Sequence, residues 1–315
     1  MSGRALAEAR TVLAEIVRLS GRTAEAAEVA RSALAAEPGA AEYADISARR
    51  TLARALGDLG RHSEAAESLA SLAARTPRTG GTAATHLQDR VNALVHLAYL
   101  GRHEEVTREA AAVRIDAASA DGEARELVPL SALTSLAFSL SVQGCFQEAE
   151  ALLRPAVAQT DPRGREQFVR TLQLGLGRAL VGQGRAEEAW QIVGGPASAA
   201  PDEPLVAAAA NAAPQDASAT ALIRATTLLA LDRPIDAELE ARRCIELCES
   251  HLGEFHHRRL EADTALGTAL ARQGEHDEAV ELLTADLHSW HAHFGDEHHG
   301  TKAARLALTS ATTYA

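Results

Sequence analysis

The sequence predicts an all-α protein: an α-solenoid of about seven antiparallel helix pairs, followed by a C-terminal capping helix. Three observations predict it. The first is composition. Of 315 residues, 46% are hydrophobic but only 3% are aromatic, and about 70 alanines supply roughly half of the apolar share. Alanine is the best helix former, with Leu, Glu and Arg close behind, whereas sandwiches and barrels draw on β-branched and aromatic residues. The second is a turn phrase that recurs along the chain: Leu19-Ser20-Gly21-Arg22, Leu59-Gly60-Arg61-His62, Leu100-Gly101-Arg102-His103, Gln143-Gly144-Cys145-Phe146, Gln183-Gly184-Arg185-Ala186, Leu231-Asp232-Arg233-Pro234 and Gln273-Gly274-Glu275-His276. Its anchors lie 39, 41, 43, 40, 48 and 42 residues apart, and self-similarity at such a period marks a repeat architecture. The third is that the flanks of the anchor repeat as well.

Each flanking position has a physical task. Four residues before the anchor stands an apolar residue (Val17, Leu56, Leu97, Leu140, Leu180, Leu228, Leu270), and spacings such as Leu52, Leu56 and Leu59 mark the end of a first helix. The anchor supplies the left-handed conformation in which helices commonly terminate. Four residues on comes an acid (Glu25, Glu64, Glu105, Glu148, Glu188, Asp236, Glu278), suited to the positive end of a second helix. The next residue is small (Ala26, Ala65, Val106, Ala149, Ala189, Ala237, Ala279), so the paired helices can approach closely.

In order, the repeats span residues 4–38, 42–77, 85–118, 124–161, 165–194, 217–251 and 257–293 of a single solenoid. The long interval before Asp232 holds Gly194-Gly195-Pro196, Pro201, Pro204 and Pro214, so residues 194–216 read as a loop insertion or a hinge after repeat five. Residues 299–315 read as an amphipathic helix through Ala303, Leu306 and Ala307 that caps the array.

Leu266-Gly267, Leu270, Gly274, Ala279 and Leu283 resemble the tetratricopeptide repeat, as do Leu176-Gly177, Leu180, Gly184, Ala189 and Val193. Pro38, Pro77 and Pro201 fall where that family often closes its second helix. The period near 42 and the phrases Leu252-Gly253-Glu254-Phe255-His256 and Phe294-Gly295-Asp296-Glu297-His298 resemble the kinesin-light-chain subtype. Repeat six departs most, with Asp232 for glycine and Arg224 where a leucine is expected. The resemblance implies a right-handed superhelix whose first helices line a concave groove. On that reading the groove residues are Arg50, Arg54, Asn92, Tyr99, Thr134, Phe138 and Arg178, with Ser47, Gln88, Val95, Ala98, Ser131, Ser141 and Thr171 beside them. Arginine forks suit carboxylates, and aromatic rings anchor side chains.

Charge and motif content narrow the function. A net charge of −12 argues against nucleic acid, whose binding is dominated by phosphate neutralisation. No stretch is long and apolar enough to cross a membrane, and the N-terminal pattern with Arg4, Glu8 and Arg10 is not that of a secretory leader, so a cytoplasmic protein is expected. One lysine against thirty arginines reads as the codon usage of a GC-rich, actinomycete-like bacterial genome. No phosphate loop, zinc-protease helix or serine elbow is present, so no catalytic residue, cofactor or metal is assigned. Two clusters are nevertheless metal candidates: His288, His291, His293, His298 and His299 in a histidine-rich C-terminal end, and Cys244, Cys248 and His251. For both, packing or solvation outweighs ligation, since free cysteine is among the most buried residue types. The expected function is a non-enzymatic scaffold or regulatory module that binds a protein or peptide. The alternatives are a metal-binding or catalytic solenoid using the histidine-rich end, and a self-associating homo-oligomer.

Overall fold

The computed structural model describes residues 3–35, 42–76, 83–194 and 214–313, and every regular element among them is a helix. The elements are α1 (Gly3–Leu19), α2 (Thr23–Ala35), α3 (Glu42–Asp58), α4 (His62–Arg75), α5 (Ala83–Tyr99), α6 (His103–Ala117), α7 (Glu123–Val142) and α8 (Phe146–Gln159). They continue as α9 (Glu166–Gly182), α10 (Ala186–Val193), α11 (Pro214–Ala230), α12 (Pro234–His251), α13 (His257–Gln273), α14 (His276–Phe294) and α15 (His299–Thr313). Odd-numbered helices from α1 to α13 are the first members of seven pairs, and α15 follows the last.

Every pair turns in the same way. The anchor has positive φ in all seven cases, from 55° at Asp232 to 88° at Gly274. Its amide donates to the carbonyl three residues back, as from Gly60 to Gly57 at 2.9 Å and from Asp232 to Leu229 at 3.1 Å. The next amide reaches the conserved-position apolar residue of the first helix: Arg22 to Val17, Arg61 to Leu56, Arg102 to Leu97, Cys145 to Leu140, Arg185 to Leu180, Arg233 to Leu228 and Glu275 to Leu270, at 2.8–3.1 Å. These two bonds are a Schellman cap, which satisfies carbonyls that the helix end would otherwise leave unpaired. Asp232 therefore keeps the glycine conformation at a steric cost that glycine does not carry.

The turn folds the second helix back onto the first, and the small residue marks the contact. Ala26, Ala65, Val106, Ala149, Ala189, Ala237 and Ala279 are all 0% exposed. Two glycines of the first helices let the pairs close further. A Cβ on Gly177 would stand 2.5 Å from Val193, and one on Gly267 would stand 2.5 Å from Leu283. Arg224, which replaces an expected leucine, is buried, and its guanidinium donates to the carbonyls of Val193 and Gly194 at 2.9 and 3.1 Å. It thus caps the short helix α10, where a cation complements the dipole.

Two compact units divide the chain: Met1–Leu136 with Ser250–His256, and Ala137–Glu249 with His257–Ala315. In unit 1, the segment 250–256 seats on the first two turns. Thr23 Oγ1 donates to the His251 carbonyl at 3.0 Å, and the Gly253 amide donates to the Asp58 carbonyl at 2.8 Å. In unit 2, α11 packs on both α9 and α10, so repeats five and six belong to one body. The division falls within α7 rather than after repeat five. Most of the expected 194–216 insertion, residues 195–213, lies outside the described residues. The final helix α15 packs on α13 and α14 through Thr301, Ala304 and Ala311 while leaving Leu306 exposed.

Asp232→Gly should raise stability, and Gly184→Ala should lower it, each by about 1 kcal/mol, because an L-residue in the left-handed region carries that order of cost. Urea unfolding midpoints check both. Equal midpoints for all three proteins would contradict the strained-turn account.

Candidate functional site

The first helices of unit 2 share one face. α9 packs on α11 and α11 on α13, yet Arg178 of α9 reaches past α11 to Glu261 of α13, with Nη2 and Oε2 2.8 Å apart. A bond that bridges an intervening helix requires the three to curve towards that side, so this face is concave. The same guanidinium lies 5.2 Å from the ring centroid of Phe138 on α7, a cation–π contact. Phe138 in turn meets the His299 ring edge-on at 6.1 Å. Phe138 and Arg178, two of the expected groove residues, therefore converge. Unit 2 also holds a cavity of about 930 Å³ along α13 and α15, with Thr264, Thr268 and Arg272 on one side and Ala303, Leu306 and Ser310 on the other.

The other expected groove residues lie in unit 1. Arg50 is committed: its Nε and Nη2 donate to both oxygens of Asp89, at 2.7 and 2.8 Å, and Asp89 is 0% exposed. This bidentate pair joins α3 to α5. Arg54 is half exposed and lies 3.3 Å from Glu15 of α1, which Arg18 also engages at 2.9 Å. Asn92 accepts from Gln88 at 3.0 Å, and Thr134 donates to the Ser131 carbonyl at 2.7 Å. Tyr99 sits against the ring of His62, 5.1 Å between centroids.

The Tyr99 environment is one that sequence reasoning missed. His62 stacks on His96 at 5.4 Å, with their Nδ1 atoms 3.2 Å apart, and meets His256 edge-on at 5.7 Å. Burial pushes the His96 ring down to about 4, so it is neutral at pH 7. The available signal was positional: His62 follows its anchor by two residues, and His256 lies in the phrase between repeats six and seven.

The two sets of metal candidates differ in setting, the cysteine set on α12 and the histidine set around the end of α14. Cys244 and Cys248 are buried in unit 2, where the Cys244 thiol donates to the Ser218 carbonyl at 3.2 Å, whereas His251 belongs to unit 1. His288, His291 and His293 are exposed, and His291 stands 3.4 Å from Asp296. His298 is buried instead, stacked on Trp290 at 5.2 Å and against Phe294 at 4.7 Å.

Two carboxyls are buried in unit 2. Burial pushes Asp286 up to about 8, although Thr264 donates to it at 2.6 Å, and neighbouring Asp263 adds to the rise. Burial also pushes Asp263 up to about 6, partly opposed by Arg259 at 3.3 Å.

Arg50→Leu should destabilise the chain by about 3 kcal/mol, because it strands the buried Asp89. Arg54→Leu should cost under about 1 kcal/mol, since that pair is exposed. Comparable unfolding midpoints for the two variants would contradict the difference. The buried acid sets a pH dependence. Folded Asp286 holds its proton to about 8 while the unfolded chain releases it near the ordinary aspartate value of 3.8. The native state is the more protonated one between these values, so stability falls as pH rises through that window. His96 acts oppositely: its contribution is lost as pH falls from 6.5 towards about 4. Asp286→Asn should flatten the decline in urea midpoint above about pH 5, and an unchanged slope would refute the assignment.

Residues 46–71 and 171–191 match one family profile described as tetratricopeptide repeat, and residues 264–300 match another of the same description. No curated protein matches the chain in sequence. Among solved structures, the chain is similar to the Rap conjugation gene regulator of the plasmid pLS20 in complex with a Phr peptide. That likeness has a TM-score of 0.58 and 12% identity over 95% of this chain and 73% of that one. It is also similar to a Rap protein complexed with Competence and Sporulation Factor, with a TM-score of 0.54 and 11% identity over 98% of this chain and 86% of the other. The three matched segments, with the seven repeated turns, show that the chain carries tetratricopeptide repeats, and the likenesses to solved structures show its α-solenoid fold.

Proposed function

We propose that the protein is a non-enzymatic regulatory module that binds an extended peptide on the concave face of its first helices. The observation that carries this reading is the bridge from Arg178 to Glu261 past α11, with Phe138 against the guanidinium. It puts a cation, an acid and an aromatic ring on a curved surface of unit 2, which also holds a cavity of about 930 Å³, within the size range of ligand sites. A peptide carboxylate would take the fork of Arg178 in place of Glu261, and its backbone would run along Thr264 and Thr268. The similar Rap structures, one solved with a Phr peptide, support a peptide as the class of ligand.

Within unit 1, Arg54, Asn92, Tyr99 and Thr134 stand on first helices and are candidate ligand contacts of that unit. Arg50 contributes by holding α3 to α5 rather than by direct contact. The acidic balance of the chain disfavours nucleic acid and suits a ligand with basic as well as carboxylate groups. A cytoplasmic setting fits this role.

Selection of a random heptapeptide phage library on the immobilised full-length chain tests the reading. Selected peptides should lose about tenfold or more in affinity with Arg178→Ala, the worth of one charge-assisted hydrogen bond. Thr268→Trp, which fills the cavity, should do the same while the far-UV spectrum is unchanged. Peptides that bind both variants as tightly as the parent would overturn the concave-face site.

A further inference from the structure

Helix α1 is apolar on two opposite faces. Ala7, Thr11, Ala14 and Val17 are buried against α2 and α3. The other face carries Leu6, Val12, Leu13, Ile16 and Leu19, exposed by 37%, 61%, 48%, 59% and 67%. Half of the large hydrophobic side chains that are exposed among the described residues are on this one helix. Of the positions exposed between Ala5 and Ser20, Glu8 alone is charged. A contiguous exposed apolar patch marks an interaction surface.

The spacing says what covers it. Ala5, Ala9, Val12, Ile16 and Leu19 follow intervals of four, three, four and three residues. That is the 3.5-residue seam by which one helix packs lengthwise on another. Leu6 and Leu13 flank this seam on one side, Glu8 and Glu15 on the other.

We propose that this face is a homodimer interface, in which α1 packs antiparallel on α1 of a second copy about a two-fold axis. Three features fit that occupant. The seam tapers from Ala5 and Ala9 to Ile16 and Leu19, so an antiparallel copy sets small residues opposite large ones, whereas a parallel copy would leave a gap at one end. The two-fold brings the Leu6 and Leu13 edge against its own counterpart, as an isologous contact must. The acidic edge is already neutralised at Glu15, which Arg18 and Arg54 engage at 2.9 and 3.3 Å. The five exposed side chains present on the order of 500 Å², so a pair of copies buries the roughly 1,000 Å² that a specific interface needs. The test of this interface reads mass and is independent of peptide binding.

Sedimentation of the full chain at about 20 µM is the experiment. The parent protein should sediment at twice the monomer mass of 33.1 kDa. Ile16→Glu and Val12→Glu should each give the monomer with an unchanged helical spectrum, since both positions are solvent-exposed in the single chain. Leu306→Glu, on the equally exposed face of α15, should leave the dimer intact. A parent protein that is monomeric, including one that captures only a different protein, overturns the proposal. So does a dimer that survives Ile16→Glu, or one that Leu306→Glu dissolves.

Discussion

The cap that ends each first helix is the constraint on which the rest of the structure depends. A residue with positive φ and two backbone bonds reverses the chain within three residues, seven times over. Reversal this tight puts the next helix antiparallel and in contact, and contact at that distance admits only a small residue. The complete burial of Ala26, Ala65 and their five counterparts is thus a consequence of the turn rather than a separate design feature. The alanine-rich, aromatic-poor composition follows, because thin layers need little bulk to fill the space between them.

With the helices fixed by backbone and alanine, arginine is left to link one repeat to the next. Arg18 to Asp58, Arg54 to Glu15 and Arg50 to Asp89 all join first helices of neighbouring repeats. Their separations of 40, 39 and 39 residues are close to the repeat period. Arg178 spans two repeats to Glu261, 83 residues away, and so reports curvature rather than simple stacking. A second use of arginine is local: Arg22, Arg61 and Arg102 each pair with the acid three residues on, at 2.5–2.6 Å. These exposed pairs add little to stability, but they explain why the residue after the anchor is so often arginine.

The turns and the helix order were legible because they depend on local chemistry that repeats. Glycine is the cheapest residue for the left-handed cap, and the period multiplied that signal. Asp232 was legible as a departure, but only the structure shows that it keeps the glycine conformation. Phe138 and Arg178 could be named from the repeat register, but their contact could not, because they lie on successive first helices; Arg50 pairs with Asp89, a partner that lies in no motif. A search for opposite charges one period apart would have found it. The His62, His96 and His256 cluster was hidden for another reason. It forms only when residues 250–256 seat on turns formed by the beginning of the chain, a contact no local pattern encodes.

Residue-resolved amide hydrogen exchange tests the central claim most directly. If the caps hold the array together, the backbone amides of Arg61, Arg102, Arg185, Arg233 and Glu275 are protected, although each lies in a turn between helices, because each donates to the first helix at 2.8–3.0 Å. The account predicts slow exchange at all five, comparable to that of the neighbouring helices. Exchange at the rate of an unstructured loop at these amides, with the helices still protected, would contradict it.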